Sequence, residues 1–426
     1  MRSIAERLRG VDPVLRILAT TTLVATLGRG VFATITVLFL GFAVRLTPAQ
    51  IALILGVGSV IAIGATLAGG HLADRVSARR LALVAMIVTS LSLASYALIT
   101  GFWSALVIVC VQEAAISVGQ SARSAIIGRA FGSESRVRAR AILRTVTNVG
   151  IAVGSGLGGI ALALDTEVAY RVALGIAGGV FLLAQLNLAR LPARVDAIAV
   201  QERAAALPGA RRPRTVLAGR SPWRDPRYLA LSALSGVFAI QFAVGEFGVP
   251  LWVARDTAAP RPVISALLIV NTVLVIIFMV PLSRGTHRIR TAGRLTIVAG
   301  LLMAAACGVY AIAGTVPAIA AVVALVGGAA LHAFAEILSQ AGGWGLSFEL
   351  ADPDRMGAYQ GVFGTAYAIG AAVGPALITL TAIQHGGIGW AVLGAILLVA
   401  AIGIGVIARG AAPAQETASE ASARMG

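Results

Sequence analysis

No lysine occurs among the 426 residues, so all 34 basic side chains are arginine. A Gly-x-x-x-x-Gly-Lys-[Ser/Thr] nucleotide loop is therefore excluded, because its lysine must reach the phosphates. Charge of either sign is scarce, at 12% of the chain, against 58% apolar residues and a mean hydropathy of +0.90. A soluble chain of this length needs more polar surface than that, which leaves little room for a soluble domain. Only two cysteines occur, Cys110 and Cys307, far apart in apolar segments, so neither a disulfide nor a metal site is expected. No metal-ligand spacing and no nucleophilic triad is visible. These absences point away from an enzyme and from any cofactor. They leave an ion gradient, or the gradient of a substrate itself, as the source of energy.

What the chain does contain is a series of apolar runs, recurring from end to end and long enough to span a bilayer at roughly 20 residues each. The arginine-rich stretch Met1–Arg16 does not read as a cleavable signal, since the apolar run after it is too long for one. Asp12-Pro13 is a helix start, an acid at the N-cap followed by proline at the first helical position. Helices are expected from about Arg16 to Leu40, Gln50 to Gly69, Leu81 to Thr100, Trp103 to Gly128, Arg140 to Leu164 and Tyr170 to Leu188. A second set runs from about Tyr228 to Val253, Val263 to Leu282, Arg294 to Gly314, Pro317 to Gly342, Met356 to Ile383 and Ile388 to Ala408. Between the sets, residues 190–227 hold five prolines and nine arginines. They read as a central loop with a short surface helix around Val195–Ala206. The tail after Arg409 is rich in Ala, Glu and Ser and is expected to be disordered. The fold class is an all-α integral membrane protein of twelve transmembrane helices. Residues 1–189 form one six-helix half, 190–227 the loop, 228–409 the second half and 410–426 the tail.

The formal net charge is +16. Such a balance raises nucleic acid as a partner, but the arginines cluster in alternate loops, which is a topology signal instead. Arg75, Arg79, Arg136, Arg138, Arg211, Arg212, Arg284 and Arg288 lie in the rich loops, and Arg45, Arg171, Arg255 and Arg261 in the poor ones. Arginine-rich loops stay cytoplasmic. Both termini are then inside, in agreement with an even number of spans in the plasma membrane.

The two sets are related. Asp225-Pro226 repeats the Asp12-Pro13 start, and Gly150-Ile151-Ala152-Val153-Gly154 matches Gly370-Ala371-Ala372-Val373-Gly374 at an offset of 220 residues. The same offset aligns Glu134 with Asp354. Parallel repeats of this kind are expected to place a binding site near the bilayer midplane.

One polar stretch stands out between the second and third apolar runs: Gly70-His71-Leu72-Ala73-Asp74-Arg75-Val76-Ser77-Ala78-Arg79-Arg80. So many charges must lie at a water interface, because one at the bilayer centre costs about 2.5–3.5 kcal/mol on insertion scales. Gly-x-Leu-Ala-Asp-Arg followed by paired arginines resembles the loop signature between helices two and three of the major facilitator superfamily of transporters. The resemblance implies a conformational switch built on Gly70, Asp74, Arg75, Arg79 and Arg80. It also implies that Asp74 faces the N-terminal end of helix 11, near Met356–Ala358, in the outward-facing state, where a helix N-terminus attracts an anion.

Ionisable residues inside spans are the best functional clue, since their burial must be compensated. Arg29 lies in helix 1, Glu113 in helix 4, Glu246 in helix 7, and His332 and Glu336 in helix 10. Gln340 extends the face of His332 and Glu336 by a turn, and Glu113, Ser117, Gln120 and Ser124 form a second polar stripe. The facilitator superfamily places these same helices around its central cavity. Each residue also has a plainer reading. Arg29 would be neutralised by Glu113, the histidine would make one hydrogen bond, and Asn271 in helix 8 would serve packing. Three acids against one arginine favour cationic or neutral amphiphilic substrates.

Gly150-x-x-x-Gly154-Ser155-x-x-Gly158-Gly159 in helix 5 resembles the antiporter signature of drug-exporting facilitators. The family has proline where Ser155 stands. Helix 11 keeps that proline, at Gly374-Pro375, without the final glycine pair. The alternative reading is close packing through small residues. The middle of helix 4, where proton-coupled exporters carry an arginine, holds Gln112-Glu113, and Arg123 lies nearer the cytoplasmic end. The resemblance implies a monomer exchanging protons for small amphiphilic molecules in the export direction. A facilitator or proton symporter importing a sugar, peptide or organic acid remains an alternative, as do a transport-inactive membrane sensor and, last, a membrane-embedded transferase.

Overall fold

The computed structural model describes residues 12–164, 166–192, 195–196 and 219–425. Every regular element among these residues is helical. The long helices are α1 (Pro13–Leu38), α2 (Pro48–Arg75), α3 (Ala78–Ser95), α4 (Phe102–Ala130), α5 (Ser133–Leu164) and α6 (Glu167–Leu188). They continue with α7 (Pro226–Asp256), α8 (Val263–Leu282), α9 (Ile289–Ala313), α10 (Ala318–Glu349), α11 (Met356–Ile378) and α12 (Gln384–Met425). Ten segments among the described residues are long and apolar enough to cross a membrane; one of them, Pro353–Ala411, holds α11 and most of α12, and α5 lies outside the set. Single π turns follow α1 at Phe39–Ala43 and α11 at Thr379–Ile383, and another interrupts α7 at Val244–Gly248.

Side chains at the helix starts explain where the chain turns. Asp12 accepts from the Val14 amide at 2.7 Å, and Asp225 from the Tyr228 amide at 3.1 Å. Thr47 and Gln50 form a reciprocal capping box ahead of Pro48. Each satisfies amides that a helix leaves without internal partners.

Several boundaries differ from the sequence expectation. The stretch expected as a loop after Gly69 is helical to Arg75, so Gly70, Asp74 and Arg75 belong to α2, and only Val76 and Ser77 separate it from α3. No proline occurs there, and Arg75 complements the negative end of the helix dipole. α5 starts at Ser133 rather than near Arg140, and α10 continues past Gly342 to Glu349. The tail expected to be disordered is helical to Met425. Its alanines favour the helix, and extending an existing helix avoids a new nucleus. The surface helix expected at Val195–Ala206 lies outside the described residues except for Val195 and Asp196.

The chain divides into two compact units. The first holds α1–α4, α5 from Ile142 onward, α6 and the segment Asp352–Gly361; the second holds Ser133–Ala141, α7–α10 and the chain from Val362. Each unit thus takes a short segment from the opposite sequence half. In the first unit α4 packs against α2 and α3, and α6 against α1 and α3. In the second unit α9 packs against α10 and α12 around buried Met303, Cys307, Tyr310 and Trp390.

Small residues bring α1 and α5 together. A Cβ on Gly150 would lie 3.0 Å from Thr26 Cβ, one on Gly154 2.9 Å from the Leu27 carbonyl carbon, and one on Gly158 3.0 Å from Thr34 Cβ. Gly159 has nothing within 4 Å, so it takes no part in this contact. In the second unit a Cβ on Gly374 would lie 2.6 Å from Ala243 Cβ, while Pro375 sits inside α11. Gly154→Val is expected to destabilise the protein by about 1–3 kcal/mol through overpacking, while Gly159→Ala stays close to wild type. Thermal unfolding of the purified variants in detergent checks this; equal melting temperatures for the two would remove the packing role.

Candidate functional site

Asp74 sits at the C-terminal end of α2, only 2% exposed. Its Oδ1 accepts from the Gly357 amide at 2.7 Å and its Oδ2 from the Ala358 amide at 2.7 Å. Both donors belong to the first turn of α11, where amides lack internal partners and the helix end is positive. Arg129 of α4 donates to Oδ1 at 2.5 Å, and to the Ala73 carbonyl at 3.1 Å. The approach depends on glycine: a Cβ on Gly357 would lie 2.6 Å from Asp74 Oδ1, and one on Gly70 2.5 Å from the Gly357 oxygen.

The same region contains a residue that sequence reasoning missed. Asp196 is buried; it accepts from Ser77 Oγ at 2.7 Å and from the Arg79 amide at 3.0 Å, so it caps α3. The Arg79 guanidinium reaches the Leu191 carbonyl at 2.9 Å. Arg75 and Arg80 are exposed. The only sequence signal for Asp196 is an acid within an arginine-rich stretch.

The second unit has a related corner with different chemistry. Glu349 aligns with Arg129 at the 220-residue offset. Its carboxylate accepts from Ser133 Oγ at 3.3 Å and lies 3.9 Å from Arg136. The Arg136 and Arg140 guanidinium groups sit over the Phe348 ring at 5.9 and 5.2 Å, and Arg140 also over Trp344 at 6.0 Å.

Within α10 three of the expected residues come together. Glu336 is buried, and its two carboxylate oxygens accept from neutral amides: Gln340 Nε2 at 2.8 Å and Asn271 Nδ2 at 3.0 Å. Asn271, read from sequence as a packing residue, is thus a direct partner of the buried acid. His332 is buried beside it, with Nδ1 3.4 Å from Tyr310 Oη. Tyr310 is fixed in turn, its carbonyl accepting from Trp252 Nε1 at 2.8 Å and its ring 5.3 Å from Trp390. The π turn of α7 runs past this cluster, where a Cβ on Gly245 would lie 3.4 Å from His332 Cε1. Glu246, in the same turn, is exposed.

The first unit does not pair its expected residues. Arg29 is exposed and Glu113 half-buried, and no ion pair within 4.0 Å joins them, although the Arg29 charge acts on Glu113 through space. Gln120 is exposed. The guanidinium of Arg123 contacts α1 instead, donating from Nη1 to Thr22 Oγ1 at 2.9 Å. Arg123 is thus a second cation, with Arg29, within the spans of this unit.

The Major Facilitator Superfamily profile matches residues 18–375. The chain belongs to this superfamily. Major facilitator proteins are transporters set in a lipid bilayer that bind small-molecule substrates, which agrees with the long apolar helices. No curated protein matches in sequence. Among solved structures, the chain is similar to the major facilitator transporter FucP in the outward conformation, with a TM-score of 0.70, 14% identity and coverage of 93% of this chain and 97% of that one. It is also similar to the human organic anion transporter MFSD10 (TETRAN), with a TM-score of 0.67, 14% identity and coverage of 92% and 99%. A third likeness is to the proton:xylose symporter XylE bound to 6-bromo-6-deoxy-D-glucose, with a TM-score of 0.64, 12% identity and coverage of 94% and 95%. At these identities the likeness is one of fold.

Asp74→Asn removes an acceptor from the α11 amides and leaves Arg129 buried without its carboxylate. Stranding a buried charge in this way costs about 3–5 kcal/mol. Hydrogen exchange followed by mass spectrometry should become faster in the peptide containing Gly357 and Ala358, with little change in α9. Unchanged protection of that peptide would contradict the capping role.

Proposed function

We propose that this facilitator-superfamily chain is a secondary active transporter that exchanges protons for small amphiphilic molecules in the export direction. It works as a monomer with twelve spans and both termini in the cytoplasm of the cell that bears it. The observation that carries the reading is Glu336, a buried carboxyl inside an apolar helix and held by two neutral amides.

The chemistry of that cluster couples protonation to rearrangement. As a carboxylate, Glu336 only accepts, which suits the two amide N–H groups aimed at it. Once protonated on one oxygen it must donate there, so Asn271 or Gln340 has to turn its own oxygen toward it or withdraw. A proton taken from water thus changes the contact between α8 and α10. Glu113 supplies a second carboxyl, in the first unit, with Arg29 acting on its charge. Glu246 and His332 complete the titratable set, and Gln120 and Gln340 add uncharged polar contacts for substrate. Asp74 is the switch residue: release of the α11 amides accompanies the conformational change, and Arg75, Arg79 and Arg80 keep that end at the water interface. Gly150, Gly154 and Gly158 of the antiporter-like motif act through helix packing.

A symport reading is the second choice, supported by the likeness to a proton:xylose symporter. In it the same carboxyls take up a proton together with an imported substrate.

Liposomes containing the purified protein, with an imposed pH gradient and an internal pH dye, separate these readings. Export by exchange predicts that added substrate drives protons in the opposite direction to itself. Combining Glu113→Gln, Glu246→Gln and Glu336→Gln should abolish substrate-dependent proton movement. Persistence of that flux in the triple variant would sink the coupling mechanism, and co-movement of proton and substrate would favour symport. Asp74→Ala should slow turnover several-fold with an unchanged substrate range.

A further inference from the structure

We infer that Arg123 anchors an anionic group of the transported molecule, so that the substrates of this chain are amphipathic organic anions. This rests on the transporter reading and names the substrate class that goes with it.

Arg123 lies in α4 seven residues before its end, about 10 Å along the axis at 1.5 Å per residue. A charge within a span calls for a partner, and a guanidinium has five N–H donors. The Thr22 hydroxyl, at 2.9 Å, takes one of them. Among the described residues no carboxylate lies within 4.0 Å of Arg123, which sets it apart from Arg129 one and a half turns further along. Among the described residues no other hydrogen bond to its guanidinium occurs. The side chain is only partly exposed, and Ala122, Ala125 and Ile126 beside it are buried.

The surroundings add charge of the same sign. Thr22 and Arg29 are seven residues apart on α1 and so share a face, about 10 Å apart along the helix. Glu113 lies ten residues from Arg123 along α4, about 15 Å away. The α1–α4 face thus presents two guanidinium groups against one carboxyl. Exposed Gln120 sits one turn from Arg123 on α4 and offers an uncharged contact. A cationic substrate would meet net repulsion on this face. A carboxylate or sulfonate would find a planar fork of donors with a buried hydroxyl holding it in place.

Two dyes that share a xanthene ring system and differ in charge test the inference. Carboxyfluorescein is the anion and tetramethylrhodamine methyl ester the cation. Binding to the purified full-length protein is read by fluorescence polarisation, and flux in proteoliposomes. Carboxyfluorescein should bind more tightly than the cation, and less tightly as salt rises. Arg123→Gln should weaken its binding about ten- to hundred-fold, while Arg123→Lys, which keeps the charge, retains part of it. The lysine variant also serves if the glutamine variant fails to fold. Preferred binding of the cation, no binding of the anion to the wild type, or unchanged anion affinity in Arg123→Gln would each overturn the inference. Flux of the cationic dye alone would do so while leaving the transporter reading intact. Anion binding without flux of either dye would uphold the anchor and count against transport.

Discussion

A hydrocarbon interior offers no hydrogen bonds, and that single constraint organises the polar side chains of this protein. Within the spans, small hydroxyls return to their own helices: Thr26 to Thr22, Thr34 to Gly30, Thr89 to Ala85 and Ser90 to Met86, all at 2.8–2.9 Å. Groups with more hydrogen-bonding capacity cannot be satisfied locally and so tie helices together. Asp74 joins α2, α4 and α11; Glu336 joins α8 and α10; Arg123 joins α4 and α1. The cost of leaving a polar group unpaired in such surroundings explains why Asp74, Glu336 and Arg123 mark points where helices are held.

Two corners related by the 220-residue offset are built with opposite charges. Arg129 and Glu349 stand at the same place in the two sequence sets at that offset. In the first corner the helix N-terminus supplies backbone amides to Asp74, and Arg129 neutralises the acid. In the second, side chains do that work. Glu349 meets Ser133 and Arg136 directly, while aromatic rings support the arginines. A carboxylate clasped by two amides and a guanidinium is rigid and directional, whereas a guanidinium over a ring at 5–6 Å is attracted less and tolerates sliding.

The helical class was legible because apolar runs of bilayer length dominate the composition, and the helix starts at Pro13 and Pro226 because an acid before a proline leaves few alternatives. Helix ends were less legible. Polar residues in Gly70–Arg75 and glycines in Gly342–Gly345 look like loop, yet Asp74 finds its partners only if α2 continues, and Gly342 and Gly345 let α10 approach the backbone around Ala292 and Thr286. At the candidate site, the spacing of His332, Glu336 and Gln340 was readable because they lie on one helix face. Asn271 and Tyr310 were not, since they reach that face from other helices with no shared period. Arg123 was seen but placed too close to the helix end to count. Asp196 lay in a stretch whose sequence carries no periodic signal.

The π turns in and beside α1, α7 and α11 carry a consequence for chain length. A π turn holds one residue more than the α turn it replaces, which is the footprint of a single-residue insertion absorbed within a helix. Losing one residue from Val244–Gly248 would let α7 close into a regular helix with its start at Pro226 unmoved. Because the wide turn takes up the extra residue, the residues on either side of it would keep nearly the same facing; closing the turn without that loss would instead rotate those after it by about 100°, the angle per residue of an α-helix. Glu246 and Trp252 lie in or beyond that turn. The facing of α7 beyond Gly248 therefore depends on the turn staying wide as much as on residue type, and drawing it into a regular α turn would redirect side chains that no substitution could turn together.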